Sequence, residues 1–312
     1  MKKILLIISL ILTFYNCQSP EEMHMSSPNG TIKLELNNEA EQLQYSVYNA
    51  GKPLILNADI SIFQQTGVKV VETKIHQVQN TWNPVWGQFS EIENHYNELE
   101  VSLDYKGTPA TLFVRAYDAG VAFRFQMDTW TSSETPSFFM AYNLADSNQL
   151  YSPAGEGSPF GPISIQELKN KDATKQKLKM PLLVEGTDSY LSLLESDLIS
   201  APGFDVIKFQ FDVQRNNLVS KNDFISDEKS LITPWRLILI EDHIGDLLTN
   251  TVPLNVAAEN QIKNTSWIKP GKTLWDWRVH GYTTNDGFTY GIDNESYYRF
   301  IDFAAAQDIE YF

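Results

Sequence analysis

Apolar and polar residues alternate with a period of two over most of the chain. Residues 31–36 read Thr-Ile-Lys-Leu-Glu-Leu, and the same alternation returns over residues 43–48 and 99–105. A period of two places the apolar side chains on one face of a strand. Each segment is therefore predicted to be a β-strand with one buried face, and no long helical pattern interrupts residues 31–240.

Further strand patterns complete this part of the chain. Residues 110–117 and 121–127 flank Asp118-Ala119-Gly120, which predicts a β-hairpin. Residues 206–213 alternate again, and the uniformly apolar residues 235–240 predict a central strand. Because many strands with one apolar face each must cover one another, we expect two packed sheets, that is, a mainly β fold with a large antiparallel β-sandwich.

The pattern changes towards the end of the chain. Residues 272–279 predict a strand, a loop rich in glycine and asparagine follows, and Asp293 or Asn294 is suited to cap a helix. Residues 309–312 then predict the start of a second strand. Strand, helix and strand together predict the opening of a (β/α)8 barrel, which takes eight such units over roughly 250 residues.

The predicted helix carries one apolar stripe, formed by Tyr298, Ile301 and Ala305. The chain holds only about one and a half barrel units. We therefore expect it to be truncated early in the barrel.

The first residues have the features of an export signal. Lys2 and Lys3 precede the apolar run Ile4–Leu12, which is too short to span a bilayer stably. Cys17, the only cysteine, follows this run as the acylated cysteine of a bacterial lipoprotein would. We expect export to the periplasm or to the outer membrane of a Gram-negative bacterium, with membrane contact only through the lipid anchor or the signal segment.

The predicted organisation has four parts: a lipoprotein-type signal segment over residues 1–17, a tether over 18–30, a sandwich domain over 31–262 and the barrel start over 263–312. The net charge of −15 repels phosphate backbones, so nucleic acid is excluded as a partner. Aromatic residues make up 12% of the chain, which suits a β-rich core or surfaces that face sugars.

Several sequence blocks, in order, resemble glycoside hydrolase family 97. The blocks are Ser27–Gly30, the hairpin segment Arg115–Arg124, Tyr190–Leu198, Thr233–Arg236, and Thr265–Lys272 with Trp275–Trp277. The resemblance implies an N-terminal β-sandwich, a (β/α)8 catalytic barrel, and hydrolysis of α-glucosides or α-galactosides with calcium in the active site. An oligosaccharide, either an α-glucan or an α-galactoside, is the expected partner.

By this resemblance, Glu195 is the residue that reaches calcium, and its place at the end of an apolar strand would let its carboxylate point outward. Glu185 is a weaker candidate for the same role. Calcium takes six to eight oxygen ligands, so one glutamate is not a complete site. The catalytic carboxylate pair is not expected in this chain, which should be inactive by itself.

Trp275 and Trp277 are candidate substrate-binding residues, because the face of an indole can stack on a sugar ring. The alternative, that both pack between the barrel and the sandwich, remains open. Many relatives carry another tryptophan where this chain has Arg278, which leaves the binding details of this strand in doubt. Arg115 and Arg124 are expected to anchor the hairpin through buried hydrogen bonds.

A second hypothesis is that the chain is a free-standing carbohydrate-binding lipoprotein with the sandwich fold. The candidate sugar platforms are then Trp82, Trp86 and Trp130. The sequence leaves open whether the sugar is a glucoside or a galactoside, and whether hydrolysis inverts or retains configuration.

Overall fold

The structure is a computed structural model that describes residues 23–39, 41–63, 67–130, 134–170 and 177–312. Strands dominate it. In chain order they are β1 (His24–Ser26), β2 (Ile32–Glu39), β3 (Gln42–Asn49), β4 (Lys52–Ser61), β5 (Val68–Trp82), β6 (Ile92–Tyr105), β7 (Thr108–Tyr117), β8 (Gly120–Met127), β9 (Ser137–Tyr142), β10 (Gln149–Ser152), β11 (Phe160–Ser164), β12 (Leu178–Lys179), β13 (Leu182–Glu185), β14 (Tyr190–Ser196), β15 (Lys208–Asp212), β16 (Asn217–Asp223), β17 (Leu231–Ile232) and β18 (Trp235–Glu241).

The described ranges also contain three α-helices, α1 (Ile165–Asn170), α2 (Val252–Asn255) and α3 (Asn294–Ala306), and three short 3-10 helices. The described residues form two compact units. The first consists of the described residues up to Trp82 together with Ile92–Ala258, and the second of Asn83–Glu91 together with Glu259–Phe312. None of the helices in the described ranges is long and apolar enough to cross a membrane.

The first unit contains two large antiparallel sheets. One has eight strands in the order β1-β2-β3-β4-β9-β16-β15-β12, and the other has ten, in the order β11-β10-β13-β14-β18-β8-β7-β6-β5 with β17 beside β8. The predicted large antiparallel sandwich is confirmed. The predicted strands over residues 31–36, 43–48 and 99–105 lie within β2, β3 and β6, and residues 235–240 form the central strand β18 between β14 and β8.

One continuous core lies between the two sheets, and the alternation along each strand explains it. Leu34, Tyr45 and Val47 of the eight-stranded sheet are buried, as are Phe123 and Phe125 of the ten-stranded sheet. The rings of Tyr45 and Phe123 lie 4.9 Å apart, so the two sheets contact each other through aromatic side chains. Burying large side chains of this kind contributes ~1.5–3 kcal/mol each.

The predicted hairpin is formed by β7 and β8. Gly120 begins β8 with a φ of +153°, and a Cβ at this position would stand 2.6 Å from the backbone oxygen of Ile238. Strand β18 therefore approaches the hairpin too closely for any side chain at residue 120.

The first unit extends beyond the predicted N-terminal boundary at residue 31. Strand β1 pairs with β2, with Met25 opposite Leu34, and Met25 is buried in the core. The last eight residues of the predicted tether therefore include a core strand. At the other end, α2 places Val252 and Val256 in a second apolar cluster with Leu237, so the segment after residue 250 packs onto the sandwich.

The second unit contains the predicted helix. Asp293 is its N-cap, and the Asp293 carboxylate accepts a hydrogen bond from the Ser296 amide at 2.8 Å. Thr273 and Tyr311 form a parallel bridge, as expected for a strand, a helix and a returning strand. Residues 276–278, however, form a 3-10 turn instead of continuing the predicted strand. Only this bridge represents the sheet of a barrel here, and the barrel start remains a prediction.

The apolar stripe of α3 faces solvent within the second unit. Ser296 and Ala304 are the buried residues of the helix, whereas Tyr298 and Ile301 are exposed. The helix therefore packs on its own loop through a different face from the one that the sequence pattern indicates.

Candidate functional site

Strand β14 places Glu195 inside the sandwich. Leu191, Leu193 and Glu195 alternate along this strand and are all buried, and Glu195 is only 7% exposed. The strand continues through Ser196, so the period of two keeps Glu195 on the same face as Leu193. The expectation that this carboxylate points outward is therefore wrong in the structure.

The Glu195 carboxylate is held by the backbone of the segment that leads into β15. Its Oε1 atom accepts a hydrogen bond from the Ile207 amide at 2.7 Å. Burial raises the pKa of Glu195, while the Ile207 hydrogen bond and the charge of Arg236 act in the opposite direction. Loss of hydration outweighs both attractions, and the protonated carboxyl is favoured more than it would be in water.

Arg236 lies opposite Glu195 on the neighbouring strand β18. It is 1% exposed, and its guanidinium donates hydrogen bonds to the Phe138 carbonyl at 3.0 Å, to Asn222 Oδ1 at 2.7 Å and to Ser220 Oγ at 2.5 Å. Burial lowers the pKa of this arginine, and Glu195 is one of the charges that act against that shift. Arg236 thus ties the ten-stranded sheet to β9 and β16 of the other sheet.

Sequence reasoning did not assign this cross-sheet role to Arg236. The sequence does contain a signal for this role, because Arg236 directly precedes the apolar residues 237–240. A buried arginine needs several oxygen partners, which only the opposite sheet provides.

A second arginine cluster lies around Trp235. The guanidinium of Arg115 lies 4.5 Å from the centre of a Trp235 ring and pairs with Glu98 at 2.7 Å. Arg124 lies 4.7 Å from that ring and pairs with Asp197 at 2.6 Å. Both arginines of the hairpin segment therefore make ion pairs and ring contacts within the first unit.

The remaining carboxylates near β14 are already engaged. Asp197 also accepts hydrogen bonds from the Ser200 hydroxyl and the Ala258 amide. Glu185, the weaker candidate for calcium, accepts the Tyr151 hydroxyl at 2.7 Å. Within the described ranges, no group of three or more histidine, cysteine, aspartate or glutamate side chains is arranged to hold a metal ion.

These residues do not by themselves form a calcium site, because calcium takes six to eight oxygen ligands. Glu195 is buried, and one of its oxygens is bound to an amide. From β14, the described residues offer calcium at most one carboxylate ligand, that of Glu195.

Trp275 precedes the 3-10 turn of the second unit and Trp277 lies within it; they are 71% and 63% exposed. Between them, Asp276 contacts the His280 Nε2 atom at 2.9 Å. Within this unit both indoles present free faces, as a sugar platform requires, and Asp276 and His280 add polar groups beside them.

The other three candidate platforms differ from one another. Trp130 is 5% exposed and packs edge-on against Phe224 in the core of the sandwich, so it cannot act as a platform. Trp82 is half-buried and donates its indole N–H to Asn255 at 2.9 Å. Trp86 is 67% exposed. Of these three, only Trp86 keeps a ring open to solvent.

Cys17, the predicted lipidation site, lies outside the described residues.

Comparison with known proteins places these observations in a family. The family model "Glycosyl-hydrolase 97 N-terminal" matches residues 25–258. A curated relative, the retaining alpha-galactosidase of Bacteroides thetaiotaomicron, is 25% identical over 351 aligned residues, which cover all of this chain and 52% of the relative. A probable retaining alpha-galactosidase of Streptomyces bingchenggensis is 23% identical over 56% of this chain and 27% of its own length.

Solved structures share the fold. A glycoside hydrolase family 97 enzyme from Pseudoalteromonas sp. strain K8, in complex with acarbose, superposes with a TM-score of 0.73 at 21% identity, over 92% of this chain and 46% of that chain. The chain thus spans about half the length of the curated relative that it matches throughout.

Proposed function

The chain belongs to the Glycosyl-hydrolase 97 N-terminal family, and from this premise we propose that it is the carbohydrate-associated N-terminal region of an exported α-glycosidase. The observation that carries the proposal is the family match over nearly the whole sandwich, residues 25–258. The name of the Bacteroides relative favours an α-galactoside as the substrate class, and the acarbose complex of the Pseudoalteromonas enzyme keeps an α-glucoside as the second candidate.

The role proposed for the second unit is sugar contact through Trp275 and Trp277. Support comes from their exposure at the start and in the middle of one short turn, with Asp276 between them and His280 in contact with Asp276. A pair of indoles can stack on pyranose rings, while a carboxylate and an imidazole can hydrogen-bond to hydroxyl groups.

We propose that hydrolysis itself needs carboxylates other than those described. Glycoside hydrolysis uses two carboxyl groups on either side of the scissile bond. Among the candidate acids of the first unit, Glu195 is buried against Ile207, Asp197 is paired with Arg124, and Glu185 is bound by Tyr151. None of these three is free to approach a substrate, so the chain alone should be inactive.

Calcium enters the proposal only as an ion that takes most of its oxygens from elsewhere. Glu195 could supply one carboxylate oxygen, after turning away from its present buried position. Isothermal calorimetry on the purified chain should then detect no calcium binding tighter than about 1 mM. Tight binding that Glu195→Gln abolishes would show instead that the chain holds a complete site.

We also propose export with a lipid anchor on Cys17, on the basis of the sequence of the first seventeen residues. Labelling of cells with a radioactive fatty acid should mark the chain, and Cys17→Ser should remove the label. A chain that is cleaved and released without label would refute the anchor and leave export intact.

The main experiment measures sugar contact and turnover together. Tryptophan fluorescence of the purified chain is titrated with raffinose, which carries an α-galactoside, and with maltotriose, an α-glucan. One of the sugars should quench the emission, and Trp275→Phe with Trp277→Phe should remove the response. Trp267→Phe is the matched control, because Trp267 is a similarly exposed indole in the same unit.

The same preparation is assayed with aryl α-galactosides and aryl α-glucosides. We expect no turnover above that of the Glu195→Gln variant. Hydrolysis that depends on Glu195 would overturn the assignment of catalysis to other carboxylates, and a fluorescence response that survives in the double Trp275 and Trp277 variant would overturn their role.

A further inference from the structure

A cavity of about 200 Å³ lies against the eight-stranded sheet. Two residues of the ten-stranded sheet, Val68 and Tyr105, also line it. We call it the outer groove and define it by six of its lining residues: Asp59, Phe139, Gln210, Asp212, Arg215 and Lys221. These residues belong to the first unit alone, and the groove contains none of the residues discussed above as candidates for calcium or for sugar stacking.

The alternation of the strands explains why these side chains face solvent. Ile60, Met140 and Phe209 point into the core between the sheets. Their neighbours along the same strands, Asp59, Phe139 and Gln210, must therefore point to the opposite face. Strand pairing then brings them together, because Phe139 lies opposite Ser61 on one side and Lys221 on the other.

Most charged side chains of the outer groove are already paired, within the groove or with a neighbour. Arg215 Nη1 lies 3.2 Å from the Asp212 carboxylate, and Arg215 Nε lies 3.8 Å from that of Asp59. Asp59 also accepts a hydrogen bond from Gln44 Nε2 at 2.8 Å. Lys221 pairs with Asp223 at 3.2 Å. An anion or a cation would have to break these pairs, so the groove favours a neutral ligand.

Aromatic and planar polar groups meet at one point of the groove. The Arg215 guanidinium lies 4.9 Å from the centre of the Phe139 ring. The Asp212 carboxylate also accepts the Gln214 and Arg215 amides at 2.9 and 3.0 Å, which fixes the turn that carries Arg215. The guanidinium is thereby pre-positioned, so the Arg215 side chain loses little conformational entropy when a ligand binds to it.

A second cavity adds length to the groove. It measures about 300 Å³, and Arg215 lines it as well, together with Asn143 and Asn217. Asn217 Nδ2 donates to Asn143 Oδ1 at 2.6 Å, and the buried Asn217 Oδ1 has no hydrogen-bond partner within the described ranges. The polar surface therefore continues past Arg215, as an elongated ligand requires.

The chemistry of this surface matches a sugar chain. Each sugar hydroxyl both donates and accepts a hydrogen bond, and amides, carboxylates and a guanidinium side by side supply both kinds of partner. Apolar C–H faces of a pyranose fit beside an aromatic ring such as Phe139. Each cavity is at or below the lower end of the roughly 300–1,000 Å³ that drug-sized ligands fill, which suits one or two sugar rings each.

We propose that the outer groove is a second carbohydrate-binding site, which takes a neutral oligosaccharide across Arg215. Its hydrogen-bonding partners are Asp59, Gln210, Asp212 and Arg215, with Phe139 as the apolar contact. Only the ligand class, an α-linked galactoside or glucan, rests on the proposed function. The location of the site rests on the geometry of the sheet.

The test is calorimetric titration of the full chain with raffinose and with maltotriose. At least one sugar should bind, Arg215→Gln should raise its Kd about tenfold, as the loss of a charge-assisted hydrogen bond does, and Phe139→Leu should weaken it in the same direction. Arg299→Gln is the matched control, because Arg299 also pairs with an aspartate and covers a phenylalanine ring, Phe288, at 3.9 Å. Its Kd should stay within about twofold.

Each outcome decides the matter. Absence of heat with both sugars, or an unchanged Kd in Arg215→Gln, overturns the outer groove as a sugar site. Circular dichroism of each variant confirms that the fold is intact. If binding is lost only in the double Trp275 and Trp277 variant, the proposed function stands and the outer groove is refuted as a sugar site. If binding depends on Arg215 and the tryptophan fluorescence does not respond, the outer groove stands and the role of the two tryptophans is refuted.

Discussion

Glu195 and Arg236 lie directly opposite each other on β14 and β18, and both side chains point into the space between the two sheets. Arg236 binds oxygens of Phe138, Ser220 and Asn222, while Glu195 binds the Ile207 amide. The two buried charges therefore influence each other through the protein interior while each keeps its own hydrogen bonds.

Glu195 gives the fold a predictable dependence on pH. Its pKa is raised in the folded state, chiefly by burial, so the folded chain holds its proton more tightly than the unfolded chain does. The stability that this group contributes is complete below about pH 4.5, the value for an unperturbed glutamate, and is lost as the pH rises through the folded-state pKa. Unfolding free energies of the wild type and of Glu195→Gln, measured from pH 4 to pH 8, should diverge in favour of the variant as the pH rises. The opposite slope would mean that attraction to Arg236 outweighs burial.

Arg236→Lys should destabilise the sandwich by ~2–4 kcal/mol, because a lysine ammonium cannot reproduce the guanidinium fork, whose Nη1 binds Ser220 and whose Nη2 binds the Phe138 carbonyl and Asn222. Urea unfolding followed by circular dichroism measures the loss. Arg299→Lys, at an exposed arginine of the second unit, should change stability by less than about 0.5 kcal/mol. Equal effects of the two substitutions would contradict the cross-sheet role of Arg236.

Gly120→Ala should destabilise the hairpin by ~1–3 kcal/mol, because the new Cβ would meet the Ile238 carbonyl oxygen at 2.6 Å and the backbone φ of +153° is unfavourable for alanine. Thermal unfolding gives the change. Gly245→Ala provides the comparison, since a Cβ there meets no atom within 4 Å, and it should leave the melting temperature nearly unchanged.

Trp130 and Trp86 should behave in opposite ways when truncated. Trp130→Ala should cost ~3–5 kcal/mol of stability, because the ring packs against Phe224 in the core. Trp86→Ala should stay within about 0.5 kcal/mol of the wild type, because its ring is exposed. If Trp130→Ala left stability intact and removed sugar binding, the burial of this ring would be disproved.

The strand pattern of the sandwich was predictable wherever one face of a strand is buried. Strands β2, β3 and β6 could be predicted from alternation, and β18 from its uniformly apolar run. Strand β5 gave no such signal, because most of its fifteen residues are exposed at the edge of the ten-stranded sheet. An edge strand is held by its backbone ladder, which leaves little trace in the side-chain pattern.

The candidate site was less predictable, because burial of a polar side chain depends on what lies opposite it. Glu195 is read from the sequence as a strand-end carboxylate, yet β14 runs one residue further and keeps it inside. Residues 276–278 have the composition of a strand but form a turn, since Thr273 pairs with Tyr311 in a single bridge and no ladder continues beyond it.

The sequence by itself determined the sandwich, the family resemblance, the helix with its Asp293 cap and the candidate status of Glu195, Trp275 and Trp277, because these follow from local periodicity and short motifs. Tertiary structure alone decided that Glu195 points inward beside Arg236, that Trp130 is core, and that Asp59, Phe139 and Arg215 share one groove. These residues are distant in sequence, and their contacts arise only from the pairing of strands and the packing of two sheets.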